Sequence, residues 1–456
     1  MKLFYDIKDK PKFPALIIYA FQQLLAIMAA TLVVPIIIGN GMQPAAALFG
    51  AGIGTLIYVL FTKASSPVFL GSSFAFLGSM AAAFAGAVSA QAGYAGLIIG
   101  AAFAGLVYVV IALIVKFVGV GWIDRLMPKQ VIGPTVAIIG LSLAGNAIGD
   151  LQKGDVYASV LGEGIEEATT VMTANPLIAV LCGLVALFVT MFASTYGKKG
   201  VKLIPFIIGI LAGYAVAAVF TVIGTATENP SLMIIDFNVF KDMTIVALPE
   251  FTFITAMKGI KEIDGAYIGT IAMAYLPVAF VVFAEHIADH KNISSIIEKD
   301  LLKEPGLHRT LLGDGVGSMV GAFFGGCPNT TYGESVACVA ITRNASVATI
   351  ITTAVCAMLI SFLSPFVAFV DSIPACVMGG VCMALYGFIA VSGLKMIKDV
   401  DLEQNKNLFT VSVILIAGIG GLTLSFGNIT ITSVACALIL GIITNLVLGK
   451  KVKEEA

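Results

Sequence analysis

Charge is scarce in this chain. Asp, Glu, Lys and Arg make up 12% of the residues, 59% are hydrophobic, and the mean hydropathy is +1.01. Soluble domains carry about 25% charged residues. A soluble fold could not hide this much apolar surface, so lipid is the solvent expected for most of the chain. Basic tracts suited to nucleic acid are lacking, and the formal net charge of −1 offers nothing to a polyanion. Hydrophobic segments begin near residue 13 and continue almost to residue 449. No extramembrane domain of useful size remains, so hydrolytic or ligase chemistry is not expected. The seven cysteines sit in or beside apolar runs without CxxC spacing, which excludes a zinc or disulfide framework and leaves small packing residues. No cofactor and no metal are expected.

What is present is a succession of apolar runs. Polar or Gly/Pro breaks delimit fourteen spans, at roughly 13–39, 45–62, 68–87, 93–116, 130–149, 175–195, 203–224, 266–290, 309–326, 331–343, 346–368, 374–394, 407–424 and 430–449. The first follows Lys2, Lys8, Lys10 and Lys12 and is too long for a signal-peptide core, so it reads as a retained span. An even number of spans puts both termini on one side. Of the 26 Lys and Arg residues, only Lys153, Lys241, Lys258 and Lys261 fall in outer segments if that side is the cytoplasm. Residues such as Lys63, Arg125, Lys198, Lys199, Lys202, Lys299, Lys398, Lys450 and Lys451 lie at cytoplasmic positions. Asp150, Asp155, Glu163, Glu166 and Glu167 mark an acidic outer segment. The expected location is therefore the cytoplasmic (inner) membrane, multi-pass, with both termini cytoplasmic.

Fourteen spans divide into two repeats of seven, at 1–225 and 226–456. An odd-numbered repeat is inverted relative to its copy, a common transporter plan. The third span contains Gly71-Ser72-Ser73-Phe74-Ala75-Phe76, and the tenth opens with Cys327-Pro328-Asn329-Thr330-Thr331-Tyr332-Gly333. Both stretches are poor helix and β-capable, and they occupy equivalent places in the two repeats. Broken backbone at membrane depth is tolerated where it lines a cavity, and it then offers free N–H groups to a ligand.

Ionisable groups inside spans are costly, so each is a functional candidate. The eighth span ends with Glu285-His286-Ile287-Ala288-Asp289-His290, directly after apolar sequence. Glu285 and Asp289 share one helix face, and His286 and His290 share another about 100° round. Glu334 follows the break in the tenth span, where a half-helix would point its N-terminal amides at the site. Two carboxylates beside free amides suit a small planar polar solute. Carboxylates accept from ring N–H groups, amides donate to ring carbonyls, and Phe74 or Tyr332 could lie against the ring. A proton on one of these groups would be linked to solute binding, with Glu285, Asp289, Glu334 and His286 as its candidate carriers. Competing readings are a structural pair, Glu285 with a histidine or Glu334 with Arg343, and solvated Asp289 and His290 at the cytoplasmic end. The order of Glu285, His286 and His290 does not match H-E-x-x-H, which disfavours a metal. Gly317, Gly321 and Gly325 form a close-packing helix face. Gly313-Asp314-Gly315-Val316-Gly317 only superficially resembles a nucleotide loop, because it follows no strand.

The sequence resembles the nucleobase–ascorbate transporter family over nearly its whole length, and within it the bacterial uracil permeases. The segments that carry the resemblance are Gln22-Gln23-Leu24-Leu25-Ala26, Leu70 to Phe76, Ala284-Glu285-His286, Lys299 to Arg309, Pro328 to Glu334, and Ala340-Ile341-Thr342-Arg343. The resemblance implies an all-α integral membrane protein of 14 transmembrane segments in two inverted seven-span repeats, with short strands interrupting spans 3 and 10. It implies a core domain of spans 1–4 and 8–11, about 13–116 and 266–368. A gate domain would hold spans 5–7 and 12–14, about 130–224 and 374–449. It further implies uracil:proton symport by alternating access, often as a homodimer. Glu285 and Glu334 would bind the pyrimidine, the amides of Phe74, Gly333 and Glu334 would meet its oxygens, and Tyr332 would line the pocket. Glutamate at position 334 favours uracil over xanthine or urate. A xanthine or purine symporter, or an anion transporter or channel, are the alternatives on the same scaffold. The chain departs from the family pattern at Gln23, where histidine is usual, at Ser335 and Ala337, where asparagine and glycine are usual, and at Asp289, where some uracil permeases carry a proton-coupling histidine.

Overall fold

The computed structural model describes residues 3–119, 121–160, 169–198, 200–241, 244–426 and 429–449. Lys2, Glu163, Glu166, Glu167, Lys199, Lys450 and Lys451, named above for topology, lie outside the described residues. Among those residues, eight helices are long and apolar enough to cross a membrane. They are Phe13–Ile38, Pro44–Phe61, Ala90–Val118, Lys129–Leu151, Pro176–Tyr196, Pro205–Ala226, Gly265–Ile297 and Ala375–Ile397. Shorter apolar helices cover Phe74–Ala85, Gly333–Thr342, Val347–Ile360, Asn405–Ile419 and Ser433–Leu448. Helix predominates because a backbone in lipid must satisfy its own N–H and C=O groups.

The chain divides into two compact units. The first comprises residues 1–142, 248–361 and 388–456. Its central elements are α1 (Phe13–Ile38), α2 (Pro44–Phe61), β1 (Leu70–Ser72), α3 (Leu77–Ala85), α4 (Ala90–Val118), α5 (Gly265–Ile297), α6 (Leu307–Gly325), β2 (Asn329–Thr331), α7 (Gly333–Thr342) and α8 (Val347–Ile360). The second unit comprises residues 143–247 and 362–387. In it, helices Pro176–Tyr196 and Pro205–Ala226 meet where Gly209 and Gly213 cross Ala186 and Cys182, so close that a Cβ at Gly209 would lie 2.6 Å from the Ala186 carbonyl oxygen.

The centre of the first unit is an antiparallel ribbon. Leu70 pairs with Thr331, Gly71 with Thr330, and Ser72 with Asn329. A two-stranded ribbon has two unpaired edges, and in an apolar interior those edges need partners. Side chains supply them here. Thr55 Oγ1 accepts from the Leu70 amide at 2.9 Å, and Ser335 Oγ accepts from the Phe69 amide at 3.0 Å. The ribbon lies over a seam of small residues. A Cβ at Gly54 of α2 would stand 2.7 Å from the Gly317 carbonyl oxygen of α6, and a Cβ at Gly325 would stand 2.6 Å from that of Ala46. The Gly317, Gly321 and Gly325 face is thus the surface along which α6 meets α2 backbone to backbone. Asn329 fills the remaining gap and donates from Nδ2 to the Gly50 carbonyl at 3.0 Å.

Helix α5 is set by its ends. Asp264 caps it, Oδ1 accepting from the Tyr267 amide at 2.7 Å, and Glu298 closes it in the left-handed conformation at φ 55°. Its 33 residues rise about 50 Å. Helix α7 has only ten residues, from its cap at Tyr332 to a left-handed Arg343 at φ 57°.

A ribbon, two helix starts and two faces of one helix

Two helical segments leave the ribbon from opposite ends. Phe74–Phe76 forms a tight turn that runs into α3, and α7 begins at Gly333, one residue after Tyr332. Gly333, Glu334 and Ser335 are the first residues of α7, so their amides have no carbonyl one turn earlier and carry the positive end of the helix dipole. Gly333 is exposed, while Phe74 and Glu334 are half-buried. Tyr332 is 4% exposed. Its ring packs on Gly71 and its hydroxyl donates to the Ser72 carbonyl at 2.8 Å, so it braces the crossing from beneath.

Helix α5 passes this crossing with its two carboxylates half-buried. Asp289 Oδ2 accepts from Thr331 Oγ1 at 2.8 Å, and Asp289 Oδ1 lies against the unsubstituted Cα of Gly333. Glu285 lies one turn earlier, near enough to Asp289, Asp314 and Glu334 for their charges to act on it. Glu285 and Asp289 of α5 therefore gather with Glu334 around the start of α7. Two departures from the family pattern also meet, with Gln23 Nε2 donating to Ser335 Oγ at 2.5 Å.

The other face of α5 is closed. His286 and His290 are both 0% exposed, and their rings stack with centroids 4.0 Å apart. His286 Nδ1 lies 2.7 Å from Asp314 Oδ2, and Nε2 lies 2.9 Å from Thr310 Oγ1. His290 Nδ1 meets the His286 carbonyl at 2.8 Å, and Nε2 meets the Tyr58 hydroxyl at 2.7 Å. The Tyr58 hydroxyl is also 2.7 Å from Ser66 Oγ.

Three expectations change here. His290 is not solvated at a helix end, because α2 covers it through Tyr58. His286 pairs with Asp314 of α6 rather than with Glu285. Glu334 and Arg343 do not pair, because nine residues of helix put them about 14 Å apart along the axis, and the Arg343 guanidinium lies over the Phe4 ring at 5.7 Å. Asp314, inside the glycine-rich ninth span, is not among the candidates that the sequence alone singles out. The signal that finds it is the rule applied to Glu285: an ionisable residue inside an apolar helix demands a partner or a task.

Comparison with known proteins fits this architecture. The Xan_ur_permease model, described as a permease family, matches residues 14–426. The uracil permease of Bacillus subtilis is 37% identical over 459 residues, covering 100% of this chain and 97% of that protein. The uracil permease of Escherichia coli K12 is 33% identical over 443 residues, covering 97% and 93%. Among solved structures, the transmembrane domain of the cyanobacterial bicarbonate transporter BicA superposes with a TM-score of 0.60 at 16% identity, covering 97% of this chain and 100% of that one. Murine Slc26a9, an anion transporter, superposes with a TM-score of 0.64 at 11% identity, covering 97% and 69%. These identities carry the fold alone. With a family match across nearly its full length, this chain is a multi-pass membrane protein belonging to the xanthine/uracil permease family, and it is a transporter, not an enzyme.

Proposed function

We propose that this permease imports uracil across the cytoplasmic membrane by proton symport, with Glu285 and Glu334 as the solute's hydrogen-bond acceptors. The observation that carries the reading is the gathering of half-buried Glu285, Asp289 and Glu334 around the first amides of α7. Uracil offers ring N–H donors to the carboxylates and ring carbonyls to the amides of Gly333, Glu334 and Phe74. Phe74 contributes aromatic surface, while Tyr332 supports the crossing beneath it. Relatives of this length and identity that are named uracil permeases support the same substrate. The coupling ion in this reading is the proton, held among Glu285, Asp289, Glu334 and His286, with no other cofactor.

The mechanism is alternating access on fourteen spans. The eight long helices, the five shorter apolar ones and α6 supply that number of segments. We assign them to inverted repeats 1–225 and 226–456, with the short strands interrupting spans 3 and 10. Spans 1–4 and 8–11 form the core that moves against a gate of spans 5–7 and 12–14. Cytoplasmic termini and a homodimer belong to the same proposal.

Uptake of labelled uracil into proteoliposomes tests it. Accumulation should require an inward proton gradient, and Glu285→Gln should weaken uracil binding by about tenfold or more. Accumulation that survives collapse of the gradient removes the symport, and normal binding by Glu285→Gln removes the site. The family model that matches this chain is named for xanthine and uracil together, which keeps a xanthine or purine substrate as the second reading. Competition of uracil binding by xanthine, hypoxanthine and thymine separates the two. The anion transporters of similar fold suggest a third substrate class, but three carboxylates around the site oppose an anion.

A further inference from the structure

We infer that the buried His286–Asp314 pair is a second proton-binding site behind the solute-facing carboxylates, loading and releasing one proton in each transport cycle. This deepens the symport reading and rests on it. The argument is a count of hydrogens. Thr310 Oγ1 lies 2.9 Å from His286 Nε2 and 3.0 Å from the Leu307 carbonyl oxygen, and it owns one proton.

Suppose the hydroxyl donates to Leu307. Thr310 then accepts from His286, so Nε2 carries a proton. The 2.7 Å approach of Nδ1 to Asp314 Oδ2 needs another proton between them, since two lone pairs would otherwise face each other. The pair is then neutral overall, either as imidazolium and carboxylate or as imidazole and carboxylic acid. Suppose instead that the hydroxyl turns to donate to Nε2. His286 then keeps one proton, on Nδ1, and the pair carries a charge of −1. The two states differ by one proton and by one rotation about the Thr310 Cβ–Oγ1 bond, with no heavy atom displaced. A site built this way exchanges a proton without repacking its surroundings.

The surroundings favour the loaded state at rest. Asp314 Oδ1 is buried with no hydrogen-bond partner among the described residues, and no Lys or Arg among them forms an ion pair with Asp314. A bare ionised oxygen is costly there. The titratable groups facing the pair are Glu285, Asp289 and His290 of α5, Tyr108 of α4 and Tyr58 of α2, and Glu334 of α7 acts on Glu285 and Asp289. His290 is bonded elsewhere: its Nδ1 donates to the His286 carbonyl, and its Nε2 lies 2.7 Å from the Tyr58 hydroxyl, which itself donates to Ser66 Oγ. Charge on Glu285, next to His286 in the chain, and on Asp289 opposes charge on Asp314, so filling or emptying the solute site changes the free energy of unloading the pair.

The test uses the intact protein and two variants, Asp314→Asn and His286→Gln. Protons carried with each uracil are counted with a pH indicator trapped in weakly buffered proteoliposomes, and gradient-driven accumulation is compared with uracil–uracil exchange. In both variants, protons carried per uracil should fall by about one, and accumulation should fall by about tenfold or more while exchange falls by less than about threefold. An unchanged proton count and unchanged accumulation, with only thermal stability reduced, would make the pair a static clamp and overturn the proposal. Should the variants fail to fold, 15N spectra of histidine-labelled protein in a His308→Gln background read the site directly. His286 Nε2 should be protonated in the loaded state and unprotonated in the unloaded one. Protonation of Nε2 that stays constant with pH and with uracil overturns the proposal. Uracil transport without any accompanying proton in the unmutated protein would remove the symport reading itself, an outcome distinct from failure of the variants.

Discussion

The two faces of α5 carry the same kind of chemistry under opposite conditions. Glu285 and Asp289 are half-buried and look toward the start of α7, with Thr331 the hydrogen-bond donor to Asp289. His286 and His290 are fully buried, and all four ring nitrogens have a partner within 2.9 Å. Each pair is spaced i,i+4, so the helix itself treats them alike. What separates them is what packs alongside. Opposite the carboxylates the ribbon and α7 present helix-start amides and the bare Cα of Gly333. Opposite the histidines α2 and α6 press in along a glycine seam and bring Tyr58, Thr310 and Asp314 into hydrogen-bond range. A polar face that is left partly open has capacity for a solute, and one whose donors and acceptors are consumed internally has none.

The sharpest way to break that contrast is Glu285→Gln. It keeps size and polarity but replaces an acceptor-only group by one that also donates. A charged hydrogen bond is worth about 1.5–3 kcal/mol, so uracil affinity should fall by about 10- to 150-fold. Thermal stability should change little, because the residue is half-buried. Binding measured by calorimetry, beside a melting curve, checks both parts. A large loss of stability with affinity intact would assign Glu285 to the scaffold.

Much of this organisation was legible in the sequence. Apolar runs and their breaks located the helices because hydropathy is a property of single segments. The Gly-, Ser- and Thr-rich stretch at 327–333 contains β2, and that at 71–76 overlaps β1 before turning helical at Phe74, since such residues disfavour regular helix locally. Gly317, Gly321 and Gly325 announced a packing face by their spacing alone. The partner of His286 was not legible, because Asp314 lies 28 residues away on another helix and only packing unites them. The docking of the N-terminal arm was equally hidden. Phe4 and Tyr5 donate to the Arg343 carbonyl, and Lys299 pairs with Asp6 at 2.5 Å, contacts of long sequence separation that no local pattern encodes.

A half-buried carboxylate of the second unit sharpens the comparison next. In the second unit, Asp155 accepts from the Ala375 amide at 3.2 Å, and burial, with Asp236 and Asp150 nearby, pushes its carboxyl up to about 6. Its folded value exceeds its unfolded one, so the protonated form is favoured by folding. Stability is therefore lost as pH rises from about 4 through 6, by up to about 3 kcal/mol at pH 7. Asp155→Asn keeps an acceptor for Ala375 and cannot ionise. It should raise the melting temperature at pH 7.5, and the advantage should vanish below pH 4. An advantage that persists at pH 4 would trace the effect to packing.

On the closed face, Tyr58→Phe removes one hydroxyl and strands two buried groups, His290 Nε2 and Ser66 Oγ. The expected cost is about 1–3 kcal/mol of stability. Uracil affinity should stay within about twofold, because nothing on the open face is touched. Melting curves and binding isotherms on the same preparation decide it. A fall in affinity as large as that of Glu285→Gln would mean that the two faces are not separable.

The smallest effect lies where the faces' roles meet, at Thr331. Thr331→Val is close to isosteric and deletes only the donor to Asp289 Oδ2. Losing one hydrogen bond to a carboxylate costs the ionised form about 1 kcal/mol relative to the protonated one. If Asp289 exchanges the coupling proton, that energy appears in transport, and the pH profile of uracil uptake moves toward higher pH by about 0.7 unit. If Asp289 only anchors the strand, the same energy appears as lost stability and the profile stays where it was. Initial rates of uptake across the pH range distinguish the two, because a scaffold defect lowers the whole curve whereas a titrating partner displaces it.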